Sequence, residues 1–143
     1  MDLWDIPVVD QHAHNLLKPE AITRYPYAAA FTEGDDAQIL NHHARYTFCY
    51  RRSLRDIAAL LNCEPEEEAI LVQRANLGLE CLTKLCFNAA KLDTVFLDDG
   101  LLPAAILPLE WHRQFVSAHR LLRLEVLAEQ LLNPEDDFES TNH

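Results

Sequence analysis

The stretch Val8-Val9-Asp10-Gln11-His12-Ala13-His14 restricts this chain more than any other. Residues 3–10 read as a first strand, with an apolar run from Ile6 to Val9 and Pro7 tolerable near its start. Side chains alternate along extended backbone, so Asp10, His12 and His14 are expected to project to one side. Two imidazoles at a strand end can reach one ion, and neutral imidazole suits zinc and similar divalent metals. The competing reading is a surface loop with two incidental histidines. The apolar run and Asp10 favour a ligand pair, because metal and catalytic groups are commonly set at strand ends.

Two later segments repeat the pattern. Residues 93–98 read as a second strand running into Asp98-Asp99-Gly100, which taken alone is also a good turn. Residues 121–125 read as a third, with Arg123 and Glu125 on one side. In a parallel α/β sheet such strand ends line one face, where sites are built. Between the first two strands the period is helical. Residues 37–61 carry an apolar stripe after a Gly34-Asp35-Asp36 turn and cap, with a break expected near Arg52, where Ser53 and Asp56 resemble a capping box. Pro65 and three following glutamates open a second helix that stops at Gly78, and a third covers about 79–91. Residues 109–116, with Glu110 and His112, and 126–132 complete the helices, and Asn133-Pro134 stops the last. The stretch 35–91 is far longer than a single crossover helix, which implies a helical insertion within one domain, 1–143.

Other features have plainer readings. Arg45, Arg51, Arg52 and Arg55 could bind a carboxylate, but pairing with acids such as Asp56 is favoured. His42 and His43 are expected away from the site. Four cysteines without a Cys-x-x-Cys read as buried thiols in a reducing compartment.

Several blocks, in order, carry a family resemblance: Asp10-x-His12-x-His14, residues 15–20, residues 51–56, Asp98-Asp99-Gly100 and Leu107-Pro108-Leu109-Glu110-Trp111-His112. The chain resembles the amidohydrolase superfamily, in the branch also found fused to glutamine-synthetase-like domains, the FluG and nodulin type. The resemblance runs from about Ile6 to Phe138. It implies an α/β fold, the N-terminal part of a TIM (β/α)8-like barrel with a large helical insertion, mostly helical by content and with about three parallel strands. It implies a metal-dependent hydrolase acting on amide-like C–N bonds of a small molecule through a metal-activated water. His12 and His14 would be ligands of a divalent metal, zinc being expected. Glu125 would be the catalytic ligand or proton shuttle, and Arg123, His112 and Asp98 would contact substrate.

The family's further ligands come from later strands, and 143 residues is well short of the roughly 250 of such a barrel. The chain is therefore expected to be a fragment of the fold, a remodelled relic, or one part of a split protein whose barrel a second copy or another chain completes. The alternative is a non-catalytic interaction module, or a relic that pairs with another polypeptide. A net charge of −11 disfavours nucleic acid and anionic membranes as partners. No apolar run approaches a membrane span and the N-terminus lacks a basic signal region, so a cytoplasmic protein is expected.

Overall fold

A computed structural model of the chain describes residues 6–34, 36–100 and 104–132. Strand β1 (Val8–His14) is followed by α1 (Pro19–Ile22) and three short turns of helix, Tyr27–Phe31, Ile39–His43 and Ala44–Tyr46. Then come α2 (Phe48–Leu61), α3 (Glu67–Leu77), α4 (Leu79–Ala89), β2 (Leu92–Asp98), α5 (Leu109–His112), β3 (Ser117–Arg120) and α6 (Leu124–Leu131). Residues 3–5 of the expected first strand, Asp35 of the expected cap, and the Asn133-Pro134 stop lie outside the described residues.

The strands form one parallel sheet in the order β1-β2-β3, as the sequence predicts. Their bounds differ from expectation in two places. β1 starts later and continues through both histidines, with a register break between Asp10 and Ala13. The third strand lies at Ser117–Arg120 rather than 121–125. Ala118, 3% exposed, pairs with Val95 and lies in the sheet core, whereas Leu122 and Leu124 are exposed. Arg123 instead precedes α6 and Glu125 sits in its first turn, so the two do not share a strand face. Leu121 still donates its N–H to the Leu97 carbonyl, which ties the start of this segment to β2.

The sheet has two unlike faces. Val95, Leu97 and Ala118 pack with Leu109 and Val116 in one core, against which Ala13, Phe87 and Leu92 lean. By the period of two, the other face carries Thr94, Phe96 and Asp98 of β2 with Ser117 and His119 of β3. There the Phe96 and His119 rings stack at 5.3 Å.

The helical stretch has its own apolar centres. Ile70, Ala58 and Leu61 form one and Ala28, Ala44 and Tyr50 another, and Tyr27 and Leu54 touch both. Thr47 caps α2, accepting the Tyr50 N–H at 3.2 Å, so the break falls there rather than near Arg52. The Thr47 hydroxyl reaches an end of helix, whereas Ser53 lies a turn inside it. Asp36 accepts from the Gln38 and Ile39 N–H groups, as a cap should. Tyr50 donates to Glu67, whose carboxylate also pairs with Arg45 at 2.7 Å. Burial, with the Glu67 contact, pushes the Tyr50 hydroxyl up to about 12. Arg52 and Arg55 pair with Asp56, the reading favoured from sequence, and His42 and His43 are exposed. The cysteines depart from expectation. All four are free thiols, but Cys49 and Cys81 face solvent on α2 and α4 while Cys63 and Cys86 are only half-buried.

Candidate functional site

Asp98 ends β2, pairs in register with His14, and is 5% exposed. A carboxylate so buried needs partners. Arg123 supplies them from the start of α6. Its Nε donates to Oδ1 at 2.8 Å and Oδ2 at 3.0 Å, and its Nη2 to Oδ2 at 2.6 Å. The Gly100 N–H donates to Oδ1 at 3.1 Å. The Arg123 hydrogen bonds hold the Asp98 carboxyl well below the usual carboxylate range, outweighing the upward push of burial, and the Gly100 bond helps. Gly100 is also what admits the guanidinium. A Cβ there would stand 2.8 Å from Arg123 Cδ and 2.9 Å from its Nε.

Both histidines of β1 converge on the same residue. His12 Nε2 lies 3.6 Å from Asp98 Oδ2, and His14 Nδ1 lies 3.2 Å from the Asp98 carbonyl oxygen. Because a carbonyl only accepts, that bond assigns the His14 proton to Nδ1 and leaves the Nε2 lone pair available. The two rings are 5.5 Å apart, so they share a side of the strand as the period predicts. Asp10 does not join them, since its Oδ1 accepts the His12 backbone N–H at 3.1 Å.

The remaining predicted residues are placed differently. His112 is 1% exposed, with Nε2 accepting from the Leu16 N–H at 3.0 Å and Nδ1 facing the Pro108 carbonyl at 3.0 Å. Both nitrogens are engaged within the fold, and burial pushes its pKa down. Glu125 is mostly exposed and meets the cluster only through Arg123, 3.9 Å from Nη1. Asp99 pairs with Arg120 at 2.7 Å.

Sequence reasoning missed two neighbours. The sequence marks Gly100 as part of a turn and of the Asp98-Asp99-Gly100 block, neither of which signals the close approach of Arg123. Asn15 is buried and donates to the Leu107 carbonyl at 2.9 Å, while its Oδ1 meets no donor among the described residues. Its sequence context marks it only as the first residue of the 15–20 block that follows His14.

Two donors on one tetrahedral ion, each about 2.0–2.1 Å away, stand about 3.3 Å apart. The 3.6 Å between His12 Nε2 and Asp98 Oδ2 is close to that spacing, and the His14 ring centre lies 5.5 Å from that of His12. Among the described residues, however, no three of His, Cys, Asp or Glu are gathered as a finished ligand set.

The chain is similar to protein fluG of Emericella nidulans. The two are 26% identical over 136 residues, which take in 89% of this chain and 15% of fluG. The chain thus spans less than a fifth of the relative it matches. No family model matches the chain, and no solved structure matches it. Among the described residues no helix is long and apolar enough to cross a membrane.

Proposed function

We propose that this chain is part of an amidohydrolase-type, metal-dependent hydrolase domain, its three strands being the opening strands of a (β/α)8-like barrel. The observation that carries the reading is the convergence of His12, His14 and Asp98 at neighbouring parallel strands. The fluG similarity across most of the chain and the sequence resemblance support it. The open sheet face, with Phe96 and His119 on it, would then be barrel interior. Further strands, from more polypeptide or a second chain, would close the barrel and add the missing ligands.

In this reading His12, His14 and Asp98 hold a divalent ion, with zinc the first candidate. When bound, such an ion lowers the pKa of a coordinated water to about 7, which suits attack on an amide-like C–N bond of a small molecule. The chain's own groups prepare the site. The Asp98 carbonyl fixes the His14 tautomer, in the manner of outer-shell partners of metal-binding histidines. Arg123 keeps Asp98 ionised, and the exposed Glu125, 3.9 Å from Arg123 Nη1, would serve as the proton shuttle. A cytoplasmic setting agrees with the four free thiols.

Metal analysis of mildly purified protein tests the reading. Stoichiometric zinc, lost in His12→Ala and His14→Ala, is expected; protein that binds no zinc even when it is supplied would sink it. A second reading, a non-catalytic interaction module, is favoured by one observation: Val8 and Val9 on β1 are 44% and 51% exposed. A metal-free chain that persistently co-purifies with a partner along that strand would support it.

A further inference from the structure

We propose that the outward face of α2 is a docking surface for a short acidic segment of a partner protein, gripped by Arg51, Arg52 and Arg55 and anchored beside Tyr46 and Phe48. The metal reading plays no part in it, since none of these residues lies on β1 or β2.

The helical period builds the face. Phe48, Arg51, Arg52, Arg55 and Ala59 follow one another at i, i+3, i+4, i+7 and i+11 and are all exposed, while Tyr50, Ala58 and Leu61 are buried on the other side of the helix. Tyr46 joins them because the Arg51 guanidinium lies over its ring, 5.5 Å from the centroid. Tyr46 and Phe48, 73% and 78% exposed, are the most exposed large apolar side chains among the described residues. Exposed aromatic rings beside arginines are the residue types that carry most of the energy in protein interfaces.

Charge selects the occupant. The chain has a net charge of −11, yet α2 carries three arginines against one acid, Asp56. Asp56 is divided between two of them, 3.3 Å from Arg52 Nε and 3.6 Å from Arg55 Nε, and all three side chains are more than half exposed. Such surface pairs are weak and yield to a better partner. Arg51 meets the Tyr46 ring and, among the described residues, no carboxylate. Arg45 stays out of the face, since it pairs with Glu67. The planar fork of a guanidinium matches a carboxylate at two points. From Phe48 to Arg55 the helix rises about 10 Å, the span of about three residues of extended peptide. Attraction between exposed charges fades over about 8–10 Å at ordinary salt. A long polyanion such as nucleic acid therefore overruns this patch onto an acidic protein, whereas a few carboxylates flanking one apolar side chain fit it.

The probe is a fluorescein-labelled peptide, Asp-Glu-Phe-Asp-Glu, titrated with the full chain and followed by fluorescence anisotropy. Saturable binding is expected. Arg51→Glu combined with Arg55→Glu should weaken it by about tenfold or more, and Phe48→Ala by about fivefold. The amide peptide Asn-Gln-Phe-Asn-Gln should bind about tenfold more weakly than the acidic one. The replaced side chains are exposed, so the helical circular dichroism of these variants should match the parent. A salt titration of the parent needs no variant: raising salt from about 50 to about 300 mM should weaken binding several-fold. No saturable binding, equal binding of the amide peptide, indifference to salt, or binding unchanged by the charge reversal overturns the proposal. Displacement of the peptide by oligothymidylate overturns it in favour of nucleic acid. Self-association of the parent that the charge reversal abolishes overturns it in favour of a second copy. Binding that appears only after removal of residues 133–143, with their four acids, overturns it in favour of the chain's own end.

Discussion

His112 holds a backbone N–H and a backbone carbonyl from two different segments, Leu16 and Pro108, inside the sheet core. Removing the ring leaves a void and two unpaired polar groups, so His112→Ala is expected to cost about 2–4 kcal/mol, read as a lower urea midpoint. The same burial depresses its pKa below 6.5. The unfolded chain takes up that proton more readily than the folded one, so this contribution is complete above 6.5 and is lost as pH falls below it. Asp98 acts in the same direction lower on the scale. Its folded pKa lies below the ordinary 3.8, so its contribution is complete well above that value and is lost as pH falls through it. Asp98→Asn should therefore lower the denaturation midpoint at neutral pH, and the difference should shrink at about pH 3. A difference that stays constant with pH would show that the Arg123 clamp contributes nothing. At this scale the histidine pair was legible in the sequence, because a period of two follows from extended backbone alone. The Arg123–Asp98 pairing was not, because it depends on where α6 begins and on the space left at Gly100. His112 shares a quoted motif with Glu110 and Trp111, and no local pattern says that Leu16 will cover its Nε2.

At the scale of elements, most helices could be read from period and punctuation, and Gly78 ends α3 with φ +72° as its position suggests. The start of α2 could not. Ser53-x-x-Asp56 and Thr47 are both plausible caps, and only the packing of Tyr50 between Ala28 and Ala44 decides for Thr47. Thr47→Ala should cost about 1 kcal/mol, visible as a fall in denaturation midpoint with unchanged slope; Ser53→Ala should have no comparable effect. The third strand shows a different limit. Leucine alternation over 121–125 imitates a strand, yet a run of five residues fits the start of a helix as well. What decides is β2. Its inward Val95 pairs in register with Ala118, which is buried in the same core as Val95 and Leu97.

The molecule as a whole divides its apolar centres between the sheet and the helical stretch, and Phe87 on α4 leans from one towards the other. Ile70 is fully buried at the meeting of α2 and α3, so Ile70→Ala is expected to cost about 2–5 kcal/mol. If the halves fold together, the loss should appear equally in helical circular dichroism and in the signal of Trp111, near the sheet; separate transitions would show that they do not. The parallel, chain-ordered sheet was legible because three strand-like segments each precede a polar cluster and are separated by helices. Which neighbours flank it was not, since that information lies outside any local pattern. One consequence follows from the order β1-β2-β3. The two outer strands differ in length and side chains, and among the described residues each has one edge that pairs with no further strand. Contact of one copy's first strand with another's third therefore satisfies two margins and leaves two more. Stacking of that kind has no natural stopping number: crowded protein would grow into ribbons whose length follows concentration, unless a cap of foreign backbone closes the margins first.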